Sequence, residues 1–125
     1  MDNKLRIITT LMGAVFTLQG IEWLVFPDRA ADGLGMPVLD GLARSTQFGD
    51  FAAFFLVLGL SILAGTRPGR SRVLYFPAAM LGGAAVCRSL AWALHGAEFA
   101  TLFITIEVIA CMWCLAAARL ETPAL

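Results

Sequence analysis

Four apolar runs, each about 20 residues long, take up most of this chain and are separated by stretches carrying Pro, Gly and Arg. A helix of about 20 residues extends about 30 Å, the thickness of a bilayer's hydrocarbon core. A soluble bundle of four such helices would need a polar outer face. Nine Lys and Arg and nine Asp and Glu cannot furnish one. The chain is 59% apolar and 14% charged, where about 25% charged is typical of globular domains. A mean hydropathy of +0.80 agrees. The pattern predicts an all-α fold: an integral membrane four-helix bundle forming one domain over residues 1–125. Its helices are expected at about 7–26, 46–65, 73–94 and 99–118.

The breaks support this division. Pro27 ends the first run because proline cannot continue a helix comfortably. The run up to Phe26 exceeds the apolar core of a signal peptide and is followed by Arg29 rather than a small-residue cleavage site, so it reads as a membrane helix. Pro27-Asp28-Arg29, Asp32-Gly33, Gly35-Met36-Pro37 and Asp40-Gly41 then mark turns. A connection of that length between helices is expected to be partly structured, with a short helix from Pro27. Asp40 or Ser45 can cap the second helix, which then starts at about Gly41 or Thr46, and Thr66 to Arg72 form a tight basic turn before the third.

Charge sets the orientation. Lys4, Arg6, Arg67, Arg70, Arg72 and Arg119 all fall on one side of a four-span chain. The opposite loops hold Asp28, Asp32, Asp40 and Glu98 against Arg29 and Arg44. The positive-inside rule then places both termini in the cytoplasm, an N-in/C-in multi-pass arrangement.

Each apolar run also carries an ionisable residue: Glu22, Asp50, Arg88 and Glu107. Counted from the predicted outer ends they lie roughly 6, 6, 9 and 12 Å deep. A charge at membrane depth costs roughly 2.5–3.5 kcal/mol on insertion scales. Four charges in one half of the membrane are therefore expected to face inward and toward each other, with Arg88 held by Glu107 and Asp50. Gln19 shares a face with Glu22, Gln47 with Asp50, and Trp92 and His95 with Arg88, while Arg44 lies one turn outside Gln47. The candidate ligand-binding or proton-linked cluster is thus Gln19, Glu22, Arg44, Gln47, Asp50, Arg88, Trp92, His95 and Glu107. Trp23, Phe54 and Trp92 are its expected walls.

Other motifs point to packing. Cys111 and Cys114 have the C-x-x-C spacing of thiol redox motifs, but they sit mid-helix, away from the helix terminus or cation that would activate a thiol. Ala79, Gly83, Cys87 and Ala91 form a small-residue ridge of the kind that lets membrane helices approach closely. No nucleophile–base order, phosphate loop or metal-ligating motif is legible, so no catalytic residue, metal or cofactor is expected. A net charge of zero leaves no nucleic-acid footprint.

Phe26-Pro27, Leu34-Gly35, Arg44 with Phe48-Gly49, Arg88 with His95-Gly96, and Glu107 together resemble an uncharacterised bacterial family of small four-helix membrane proteins allied to the DoxX-like group. The resemblance implies an inner-membrane bundle with Arg44, Arg88 and Glu107 at recurrent polar positions. The chain departs from that pattern at His95-Gly96, where Asp-Gly is expected, and in the extra acids Glu22 and Asp50. No activity is implied.

The expected function is that of a small polytopic membrane protein whose buried charged cluster binds a small molecule or a proton rather than an enzyme. The alternative is a structural subunit or anchor of a membrane redox complex. The expected partners are the lipid bilayer, a small molecule, and a second copy or a membrane-complex partner.

Overall fold

The computed structural model describes residues 1–120; residues 121–125 of the predicted domain lie outside the described residues. The chain is all-helical. It runs α1 (Asn3–Val25), a short α2 (Pro27–Gly33), α3 (Gly41–Gly65), a 3-10 turn (Ser71–Leu74), α4 (Tyr75–His95) and α5 (Thr101–Arg119). The four long helices are each long and apolar enough to cross a membrane. Their outward faces fit that reading: Ile7, Leu11, Val15, Leu18, Leu24, Leu102, Ile109 and Met112 are all exposed. On a soluble protein a surface this apolar would aggregate.

Local chemistry explains the boundaries. Asp2 caps α1, its Oδ1 accepting from the Leu5 N–H at 2.8 Å, so the helix begins before the predicted start. Pro27 stops α1 and opens α2, where its missing N–H would be unpaired in any case. Of the two starts open to the second long helix, Gly41 is the one taken. Asp40 holds the N-cap position without capping through its side chain; its carboxylate instead meets Arg44 at 2.9 Å. Ser45 lies inside the helix. Gly96 ends α4 in the left-handed region, φ 66°, and the Ala97 N–H closes back onto the Ala91 carbonyl at 3.2 Å, a turn that favours glycine. Within the helices, Thr17, Ser89 and Thr105 donate to the carbonyls of Gly13, Ala85 and Thr101 at 2.7–2.9 Å, which satisfies these hydroxyls in apolar surroundings.

The long helices form two hairpins, α1 against α3 and α4 against α5. In the first, backbones approach closely: a Cβ on Gly20 would lie 2.7 Å from the Leu56 nitrogen, and one on Gly59 would lie 2.7 Å from the Gly13 oxygen. The ridge expected to serve this purpose, on α4, does not. Ala79 and Gly83 are exposed, and a Cβ on Gly83 would meet nothing within 4 Å. The hairpins are tied at the end carrying the 3-10 turn. There Leu58, Ile62, Leu74, Leu81 and Cys114 form the core. Ser71 donates to the Ala118 carbonyl at 3.3 Å, and Trp113 Nε1 donates to Thr9 Oγ1 at 2.9 Å. At the other end a second cluster packs α2 down: Trp23, Ala30, Ala31 and Ala52, flanked by Leu34, Met36 and Val38. The predicted partly structured loop is thus a helix seated on α1 and α3.

Candidate ligand cavity

Between the hairpins and beside α2 lies a cavity of about 510 Å³. Helical spacing delivers its lining. Gln19, Glu22 and Trp23 form one stripe of α1, and Asp50, Phe51 and Phe54 one stripe of α3. Arg88 reaches it from α4, Phe103 and Glu107 from α5, and Arg29 with Ala30 from α2.

The charges are graded from rim to interior. Asp50 and Arg29 are exposed, whereas Glu107 is 8% exposed. Arg88 Nε donates to Glu107 Oε1 at 2.8 Å. The same guanidinium lies over the Phe103 ring, 4.9 Å from its centroid. Glu22 faces Arg29 at 3.4 Å. The expected network around Arg88 is therefore smaller than four mutually facing charges suggest. Among the described residues Arg88 pairs with Glu107 alone and Asp50 makes no ion pair. Two acceptors remain open: Gln19 Oε1 and Glu107 Oε2 are buried without a hydrogen-bond partner.

The structure divides the nine sequence-derived candidates. Gln19, Glu22, Asp50, Arg88 and Glu107 share the cavity. Arg44, Gln47, Trp92 and His95 lie outside its lining. Arg44 turns to the loop, donating to the Leu39 carbonyl at 2.6 Å as well as meeting Asp40. Gln47 is buried beneath the same loop, accepting from the Leu39 N–H and donating to the Pro37 carbonyl, both at 2.9 Å. Trp92 is exposed and packs edge-on against Phe99, so the walls are Trp23 and Phe54 without it. His95 is exposed at the end of α4. Arg29 lies in the connection after Pro27, and its place beside the cavity follows from α2 folding back. Only its spacing from Glu22 across a Pro-initiated turn hinted at it.

Cys114 is fully buried in the core, and Cys111 Sγ would lie 3.3 Å from a Cβ on Gly82 of α4. They pack α5 against α4.

Apolar helices around a charged cavity define a small multi-pass membrane protein. The chain belongs to a family described as a domain of unknown function (DUF4345), whose model matches residues 4–118 and so spans all four long helices. No curated protein and no solved structure matches the chain.

Proposed function

We propose that this is a bacterial inner-membrane protein, both termini cytoplasmic, that binds a small ligand or a proton in the cavity formed by Gln19, Glu22, Asp50, Arg88 and Glu107. The observation that carries this reading is the pair of open acceptors, Gln19 Oε1 and Glu107 Oε2. A buried acceptor without a partner costs about 1–3 kcal/mol, and more if charged. An ion-pair network that served only to set helix register gains nothing from leaving them open. The volume of about 510 Å³ lies within the roughly 300–1,000 Å³ of small-molecule sites. The basic residues gathered at the termini and the 3-10 turn support the orientation, which puts the cavity in the outer half of the membrane.

The test is mass spectrometry of the protein released from mild detergent, in wild type, Glu107→Gln and Gln19→Leu. A bound molecule present in wild type and depleted in both variants is the expected result. Equal retention in all three would place the molecule elsewhere and sink the reading. The alternative, a structural subunit or anchor of a membrane redox complex, draws on the exposed Ala79 and Gly83 ridge. Stoichiometric co-purification of redox subunits through that face would favour it.

A further inference from the structure

Resting on that reading, we infer that the ligand is an organic ammonium: a cation with N–H donors carried on an apolar or aromatic body. Three features of the cavity define this class. The first is charge. Glu22, Asp50 and Glu107 face Arg29 and Arg88, so the fully ionised lining carries one excess negative charge. That excess is localised, because Glu22 and Glu107 each have an arginine while Asp50 has none among the described residues. One monovalent cation would neutralise the site.

The second feature is hydrogen-bonding sense. The open atoms are an amide oxygen and a carboxylate oxygen, and each accepts only. An anion or an ether would leave both unsatisfied. A primary ammonium brings three donors.

The third is the wall. Trp23, Phe51 and Phe54 line the cavity, with Trp23 stacked on Phe51 at a centroid distance of 4.9 Å. Aromatic faces attract cations and accept an apolar body with little desolvation cost. Phe103 offers less, since Arg88 already covers it. A bare metal ion fits poorly: among the described residues no group of three His, Cys, Asp or Glu converges to hold one. Hard cations want six or more oxygens.

An ammonium of this kind could be a free amine or the headgroup of an aminophospholipid, and the two are separable. The protein is placed in phosphatidylcholine nanodiscs and titrated with 2-phenylethylammonium, its N-trimethyl derivative and 2-phenylethanol, following heat by calorimetry. The first should bind. The trimethyl compound keeps charge and ring but has no N–H, and the alcohol keeps ring and a donor but has no charge; each should bind at least about fivefold more weakly, the loss of roughly one hydrogen bond or ion pair. Asp50→Asn and Gln19→Leu should each weaken the amine by about fivefold. Among the described residues neither side chain makes an ion pair or hydrogen bond, so neither variant should melt below wild type.

A second series replaces part of the lipid with phosphatidylethanolamine. Its retention through detergent exchange, together with competition against the amine, assigns the ammonium to a lipid headgroup; absence of competition assigns it to a free amine. Equal binding of the three compounds, or unchanged amine binding in Asp50→Asn and Gln19→Leu, would overturn the inference. If the amine fails while a different molecule co-purifies with wild type and is lost in Glu107→Gln, the ligand class is wrong and the binding cavity stands. If nothing binds by either method, both fall.

Discussion

Arg88 and Glu107 meet across the second hairpin, Nε to Oε1 at 2.8 Å, where Glu107 is 8% exposed and the guanidinium is held over Phe103. This pair joins α4 to α5 and leaves the other carboxylate oxygen free to the cavity. Removing the arginine strands a buried carboxylate. Arg88→Ala should therefore destabilise by about 3 kcal/mol, the lower end for a buried pair because the arginine is partly exposed. Adding Glu107→Gln should recover part of the loss. A double-mutant cycle by SDS titration measures this, and strictly additive effects would show that the two residues do not support each other.

The contact between α1 and α3 depends on missing side chains. Gly20→Val places new atoms against the Leu56 backbone and should cost at least about 1–3 kcal/mol. Gly83→Val on α4 meets open space and should stay within about 0.5 kcal/mol. Thermal unfolding in detergent compares them. Equal losses would mean that the α4 ridge, too, is packed in the native assembly.

Gln47 closes a loop instead of a ligand site. Its amide holds Leu39 and Pro37 through two hydrogen bonds of 2.9 Å. Gln47→Leu should free the connection between α2 and α3, with hydrogen exchange rising at residues 34–40 and little change in α4 or α5. Uniform loss of protection across all helices would instead identify Gln47 as part of the global core.

The proposed orientation predicts that the turn joining α3 to α4 and the turn joining α4 to α5 lie on opposite sides of the membrane. Pro68 and Ala97 are both exposed, whereas Ser71 in the 3-10 turn is buried. In a Cys-free background, Ala97→Cys should react with an impermeant thiol reagent in intact cells, and Pro68→Cys only after lysis. The reverse pattern inverts the orientation; labelling of both from outside removes the four-span arrangement.

The hydrophobic pattern by itself determined that this chain forms four helices of bilayer length, because run length and residue polarity act locally and need no partner to be read. It also determined that Glu22, Asp50, Arg88 and Glu107 would turn inward, since charge facing lipid is costly wherever the neighbours lie. Helix ends were less legible. Asp2 extends α1 beyond its apolar run, and the polar first turns of α3 left two starts open, of which the fold takes Gly41. Which inward-facing groups meet was decided only by tertiary structure. Helical spacing put Gln47 near the Asp50 face and Trp92 near Arg88, but a face is wide, and rotation within it sends Gln47 to the loop and Trp92 to Phe99. Arg29 reached the cavity only because α2 folds back on Trp23 and Ala52. Periodicity specifies a direction around one helix axis. Pairing depends on the relative rotation and approach of two axes, and here the close contacts at Gly13, Gly20 and Gly59 decided that, not the small-residue ridge on α4.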